Sequence, residues 1–233
     1  MADNITAGLP PLLDEANPSE RLGESYTSPG GRVYRYAKAG GAALVVGNVV
    51  QSRAEVTANE NLAFAAASAG AKSVTTTTTV TVTANQYAGG FLTVTVAPDL
   101  GQTYRIKSHP AATGATLTIQ LAEPIQTAWT TATRADMVPN PFDGVIVCAT
   151  TPTGTPVGVA ANDISANQYG WLQTRGPCNV VADAAGVTVG NQVSVSNATA
   201  GAVEAYVSGQ QVIGRAMTGI AGSENGLIFL EID

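Results

Sequence analysis

Val74-Thr75-Thr76-Thr77-Thr78-Thr79-Val80-Thr81-Val82 holds five consecutive threonines and then a strict alternation. β-Branched side chains are crowded at χ1 in a helix and pack well on a pleated surface, so the run predicts a strand. Val80 and Val82 point to one face, Thr81 and Thr83 to the other. Gly89-Gly90 separates this stretch from a second alternating one, Leu92-Thr93-Val94-Thr95-Val96. Thr103-Tyr104-Arg105-Ile106-Lys107 and Leu117-Thr118-Ile119-Gln120-Leu121 follow, the last with its apolar residues on odd positions. On the N-terminal side, Arg32-Val33-Tyr34-Arg35-Tyr36-Ala37-Lys38 sets Tyr34, Tyr36 and Lys38 in phase, a strand with an aromatic face. Gly40-Gly41 is a turn, and Leu44 to Val50 is a buried strand pair or one strand bent around Gly47. Residues 58–72, rich in alanine, read equally well as a short helix or a strand. Short strands with frequent turns predict an all-β chain, sandwich- or barrel-like, built of many short antiparallel strands.

Pro139, Pro141 and Gly144 mark a break near residue 140. Beyond it, Val145-Ile146-Val147-Cys148 reads as a buried strand and Pro152, Gly154 and Pro156 as a loop. Further strands are expected at 169–174, 187–189, 192–196, 203–207, 212–217 and 227–230. Residues 1–31 read as an extended N-terminal arm, because Pro10, Pro11, Pro18 and Pro29 disfavour regular structure. Leu9, Leu12, Leu13 and Leu22 are its apolar anchors. The expected organisation is an arm at 1–31, a β-rich domain at 32–140, and at 141–233 a second β-rich domain or a continuation of the first. An internal echo joins Thr83-Ala84-Asn85-Gln86-Tyr87 to Ser165-Ala166-Asn167-Gln168-Tyr169, two related turns leading into strands.

Charged residues make up 12% of the chain, against ~25% in an average globular protein. A chain so poor in charge is expected to have much of its surface covered by other subunits. Lys+Arg 11 against Asp+Glu 17 gives a net charge of −6. With no basic run, direct nucleic-acid binding is not expected. No stretch approaches the ~20 apolar residues of a membrane span, and residues 1–13 lack the pattern of a signal peptide. Without secretion the sequons at Asn4 and Asn197 carry no meaning.

Few residues offer chemistry. Cys148 and Cys178 are too few for a disulfide framework or a zinc cluster and read as buried, reduced residues. His109, before Pro110, is the single imidazole, and no nucleophile elbow accompanies it. Neither a calcium loop nor a phosphate-binding glycine motif is present. Glu123, Asp136 and Asp143 are the nearest carboxylates to a hydrolytic pair, and two of them sit beside turn residues. No catalytic residue, cofactor or metal site is expected. Tyr169-Gly170-Trp171 reads as a core or subunit-interface anchor.

Five segments, in order, resemble the capsid decoration (cement) proteins of tailed bacteriophages: Arg32 to Leu44, Thr83 to Gly90, Gly101 to His109, Asn167 to Pro177 and Val212 to Met217. The resemblance spans roughly residues 32–230. It implies a β-rich, non-catalytic virion protein, made in the host cytoplasm and carried on the capsid's outer surface. Its implied partners are the major capsid protein and itself, as a homotrimer. The candidate interaction residues are Leu9, Leu12, Leu13, Leu22, Tyr34, Tyr36 and Trp171. A head-fibre base or tail component, and more distantly a carbohydrate-binding β-protein, are the alternative expectations.

Overall fold

The computed structural model describes residues 13–233. These run through eighteen strands: β1 (Ser25–Thr27), β2 (Val33–Ala39), β3 (Val49–Gln51), β4 (Leu62–Ala63), β5 (Ser73–Thr77), β6 (Thr81–Val82), β7 (Phe91–Val96), β8 (Thr103–Ser108), β9 (Ala112–Thr113), β10 (Thr116–Leu121), β11 (Arg134–Val138), β12 (Asp143–Val147), β13 (Pro156–Ala160), β14 (Tyr169–Val181), β15 (Gln192–Val195), β16 (Val203–Ala205), β17 (Val212–Ala216) and β18 (Asn225–Glu231). The all-β expectation holds. The alanine-rich stretch at 58–72 becomes a single 3-10 turn at Thr57–Asn59 and the short β4.

The chain forms two units. One joins the residues up to 54 with 141–233, and the other is 55–140. The expected break near 140 is a unit boundary, but the expected domain at 32–140 is not observed. β2 pairs with β14 and β12, and β3 with β12 and β13, so residues 32–54 belong to a sheet whose strands, β1 apart, otherwise come after residue 141. The sequence carries no sign of this, because strand partners are set by long-range packing.

In the first unit, β2, β12, β3, β13 and the first half of β14 close a ring, since β14 also pairs back onto β2. Ala37, Ala39, Leu44, Val50, Val145, Val157, Ile164 and Leu172 fill it. The second half of β14, Arg175 to Val181, pairs with β18, which leads on to β17, β15 and β16. A parallel bridge between Ala182 and Val203 returns β16 to the end of β14. Val180, Val193, Val203, Ile213, Ile228 and Leu230 form this second core, with both cysteines. Pro156, read as a loop residue, opens β13 instead.

The alternation in β2 turns Ala37 and Ala39 into the first ring and Tyr34 and Tyr36 outward. An outward aromatic face needs cover. Leu13, Leu22 and Tyr26 supply it, and β1 pairs with β2. Residues 13–31 are therefore a strap on their own unit, which corrects the expectation of an extended arm over this part. Leu9 and Leu12 lie outside the described residues.

In the second unit, β4, β11, β7, β8, β10 and β5 form a six-stranded sheet. A bridge between Phe64 and Thr76 joins its two ends, and Thr76 Oγ1 donates to the Ala63 carbonyl at 2.7 Å. Leu92, Ile106, Leu117, Ile119 and Trp129 are buried inside. The five-threonine run alternates as expected, with Thr76 and Thr78 buried and Thr77 and Thr79 exposed. It does not stay one strand. Thr78 Oγ1 donates to the Val80 carbonyl at 2.9 Å and accepts from the Val80 N–H at 3.2 Å. This local bond takes the backbone out of the ladder and separates β5 from β6.

One motif recurs three times as a pair. Leu44 and Ile164, Val187 and Ile220, and Ala67 and Trp129 each exchange both backbone hydrogen bonds. The next four residues after each of these six close a β-turn: 45–48, 165–168, 188–191, 221–224, 68–71 and 130–133. In five of them the third residue is left-handed: Gly47, Asn167, Gly190, Ser223 and Gly70, the signature of a type II turn. The sequence echo is such a turn twice over, with Asn85 at φ 59° and Asn167 at φ 63°. Only the second leads directly into a strand, β14.

Asparagine visits the left-handed region with little strain, whereas alanine costs roughly 1–2 kcal/mol there. Asn167→Ala is expected to lower stability by about 1 kcal/mol and Asn167→Gly to leave it nearly unchanged. Urea denaturation of the two variants checks this, and equal midpoints would refute it.

Candidate functional site

Tyr34, Tyr36 and Trp171 are all buried, at 1%, 0% and 5% relative exposure. Tyr36 meets Trp171 edge-on with ring centroids 5.2 Å apart and stacks on Tyr169 at 6.1 Å. The Arg32 guanidinium lies 5.9 Å over the Tyr34 ring, and Lys38 Nζ lies 5.4 Å over Tyr169. The strap is pinned by polar contacts as well. Tyr36 Oη donates to the Glu15 carboxylate at 2.6 Å, and Glu15 and Tyr169 exchange backbone bonds at 2.9 and 3.0 Å. The Asp14 carboxylate accepts from Ser165 Oγ at 2.6 Å and Ser165 N–H at 2.9 Å. Burial, then the bond to Glu15, pushes the Tyr36 hydroxyl pKa above its usual value. Leu13, Leu22, Tyr34, Tyr36 and Trp171 are thus brought together, but facing one another. As a contact surface for another chain they are corrected to an internal layer, because the strap covers the aromatic face of β2; among the described residues, the Tyr34 hydroxyl and the Trp171 indole N–H find no hydrogen-bond partner there.

His109 is spent on backbone geometry. Its Nε2 accepts from the Tyr87 N–H at 2.9 Å, and Nδ1 lies 2.8 Å from the Pro110 carbonyl. This network puts the proton on Nδ1. The residue locks the turn at 83–89, aided by Asn85, which exchanges bonds with its backbone. The three carboxylates flagged by sequence are also engaged separately. Glu123 accepts from the Arg105 N–H at 3.1 Å, Asp136 from the Asn61 N–H at 2.7 Å, and Asp143 pairs with Arg53 at 2.8 Å. Among the described residues, no group of three or more His, Cys, Asp or Glu could hold a metal ion.

Cys148 and Cys178 are buried free thiols. Burial pushes each pKa up to about 12.

The feature that sequence reading missed is a cleft of ≈ 390 Å³ in the first unit. The loop after β12 and the loop between β16 and β17 form its walls. Gln51, Cys148, Pro152, Ser196, Asn197 and Gln210 are among its lining residues. Gln51 is itself buried. Its Oε1 accepts from the Ala149 N–H at 3.1 Å, and its Nε2 donates to Thr153 Oγ1 at 2.7 Å. These residues lie far apart along the chain, so no local motif announces them.

No protein-family model matches this chain, and neither a curated protein nor a solved structure is found similar to it.

The strap and the thiols each generate an expectation. Deleting residues 1–31 uncovers Tyr34, Tyr36 and Trp171 and should destabilise the first unit by on the order of 3 kcal/mol. Denaturant titration against the full chain measures the loss; an unchanged midpoint would count against the strap. The native thiols should resist iodoacetamide at pH 8 and react fully once the chain is unfolded. Burial makes the folded thiols hold their protons to a higher pH than the unfolded ones, whose ordinary pKa is 9.0. Their contribution to stability is therefore complete below pH 9 and is lost as pH rises toward about 12. Replacing both by alanine should flatten the alkaline limb of a stability-against-pH curve.

Proposed function

We propose that this chain is a virion structural protein, a capsid decoration protein that binds the outer face of a tailed-phage head and stabilises its lattice. The observation that carries the reading is where the resembling segments fall. Arg32 to Leu44 spans β2 and the first reciprocal bridge, Asn167 to Pro177 runs from the preceding turn across the middle of β14, and Val212 to Met217 covers β17. β2 pairs with β14, and β14 reaches β17 through β18. Segments that look like one family's signature thus fall on the framework of one unit. Thr83 to Gly90 and Gly101 to His109 fall together in the other unit, joined by His109 and Asn85.

Two further features support a binding rather than a catalytic role. The reactive side chains flagged in the sequence are held in structural contacts or buried. Large apolar side chains stand exposed on the first unit, including Val45, Val189 and Val207, and a covering subunit would remove their surface from water. The partners under this reading are the major capsid protein and further copies of the chain as a trimer, with no role for nucleic acid, membrane or cofactor. A protein that binds only the assembled shell stabilises it by linkage, multiplied over many copies.

Co-sedimentation with shells of the cognate virus lacking this protein tests the reading. Saturable binding at a fixed ratio to the major capsid protein is expected, with a raised shell melting temperature. A folded protein that stays in the supernatant would overturn it.

A further inference from the structure

The ≈ 390 Å³ cleft in the first unit is backed by two carboxylates with no cationic partner. Glu204 is 8% exposed, and its Oε1 accepts from the Asn197 N–H at 3.2 Å and from Gln210 Nε2. Asp183 is 4% exposed, and it accepts from Ser196 Oγ and the Ala185 N–H, each at 3.0 Å. Ser196, Asn197 and Gln210 all line the cleft. Each carboxylate therefore stands one hydrogen bond behind the wall.

Neither carboxylate takes part in an ion pair among the described residues, where the ion pairs join Arg35 to Asp233 and Arg53 to Asp143. No lysine, arginine or histidine lines the cleft. Buried charges in proteins are ordinarily paired, and a concave site with low-dielectric walls concentrates the field of charges beneath it. That field repels anions and gives a neutral ligand no Coulombic gain. A cation entering the cleft gains from both carboxylates.

The lining narrows the class of cation. The volume exceeds what a bare metal ion needs. Pro152, Pro156 and Val195 offer apolar wall for an aliphatic stem, while the Asn197 amide and the Ser208 hydroxyl offer oxygen acceptors at its end. We propose that this cleft is a docking site for a basic side chain, arginine above all, carried by a partner polypeptide. Arginine's five donors in a planar fork match several neutral acceptors at once. The proposal rests on the cleft alone and holds whichever assembly the chain joins.

The test uses the full chain, isotopically labelled on its side-chain amides, titrated with the blocked peptide acetyl-Gly-Arg-Gly-amide. A second titration uses the same peptide with neutral citrulline in place of arginine. The arginine peptide should shift the side-chain amide signals of Gln51, Asn197 and Gln210 saturably. It should bind at least about tenfold more tightly than the citrulline peptide, and Glu204→Gln should remove about that advantage. Ser208→Lys, at an exposed loop position, should abolish binding while leaving the fold intact, and it serves if Glu204→Gln does not fold. Equal binding of the two peptides, unchanged binding by either folded variant, or no shift with the arginine peptide would overturn the proposal.

Discussion

Strand β14 hydrogen-bonds to β2 and β13 through its first half and to β18 through its second. Its thirteen residues therefore belong to two cores, with Leu172 in the first and Cys178 and Val180 in the second. The change of partner falls at a register shift between Gln173 and Arg175, next to Gly176 at φ +88°. A Cβ at Gly176 would stand 3.3 Å from the Arg32 backbone, so glycine suits the position in both conformation and space. Every other part of the first unit is placed relative to this strand. β2 reaches it directly, and the strap reaches it through Glu15 and Tyr169. The two walls of the cleft come from the loops that follow β12 in one ring and β16 in the other.

The paired bridge-and-turn motif shows how the chain makes closed rings from short strands. A strand of four to six residues has few ladder bonds with which to fix its start. The reciprocal bridge adds two, and the turn that follows sets the direction in which the strand leaves. Left-handed residues at the third turn position do this with Gly, Asn or Ser in five of the six turns.

How much of this was legible follows from which interactions are local. The alternations at 92–96, 103–107 and 117–121 predicted strands and their buried faces, because side-chain period is a local property. Thr78 defeated the reading of one long strand, because a hydroxyl that bonds two residues along looks in sequence like any other strand threonine. β11 was missed, its two buried residues, Ala135 and Met137, being too few to show a period beside Pro139. Tyr34, Tyr36 and Trp171 were singled out as candidate interaction residues, but no local rule says whether an outward aromatic face is covered by its own chain or by another. The cleft was invisible for the same reason. Gln51, Cys148, Ser196 and Gln210 become neighbours only once the rings close.

Residues 55–140 leave the first unit just after β3 and return just before β12, and those two strands pair with each other, Gln51 opposite Ile146. Topologically the whole second unit is the loop of a hairpin. The first unit's ladder is complete on either side of that loop, and the second unit's sheet takes no strand from outside it. Such a chain can exchange one module for another, or for a short turn, without re-pairing a single strand of its frame. The frame and the insert are then free to change at different rates, one constrained by the interlocking of its rings, the other only by the closeness of its two ends.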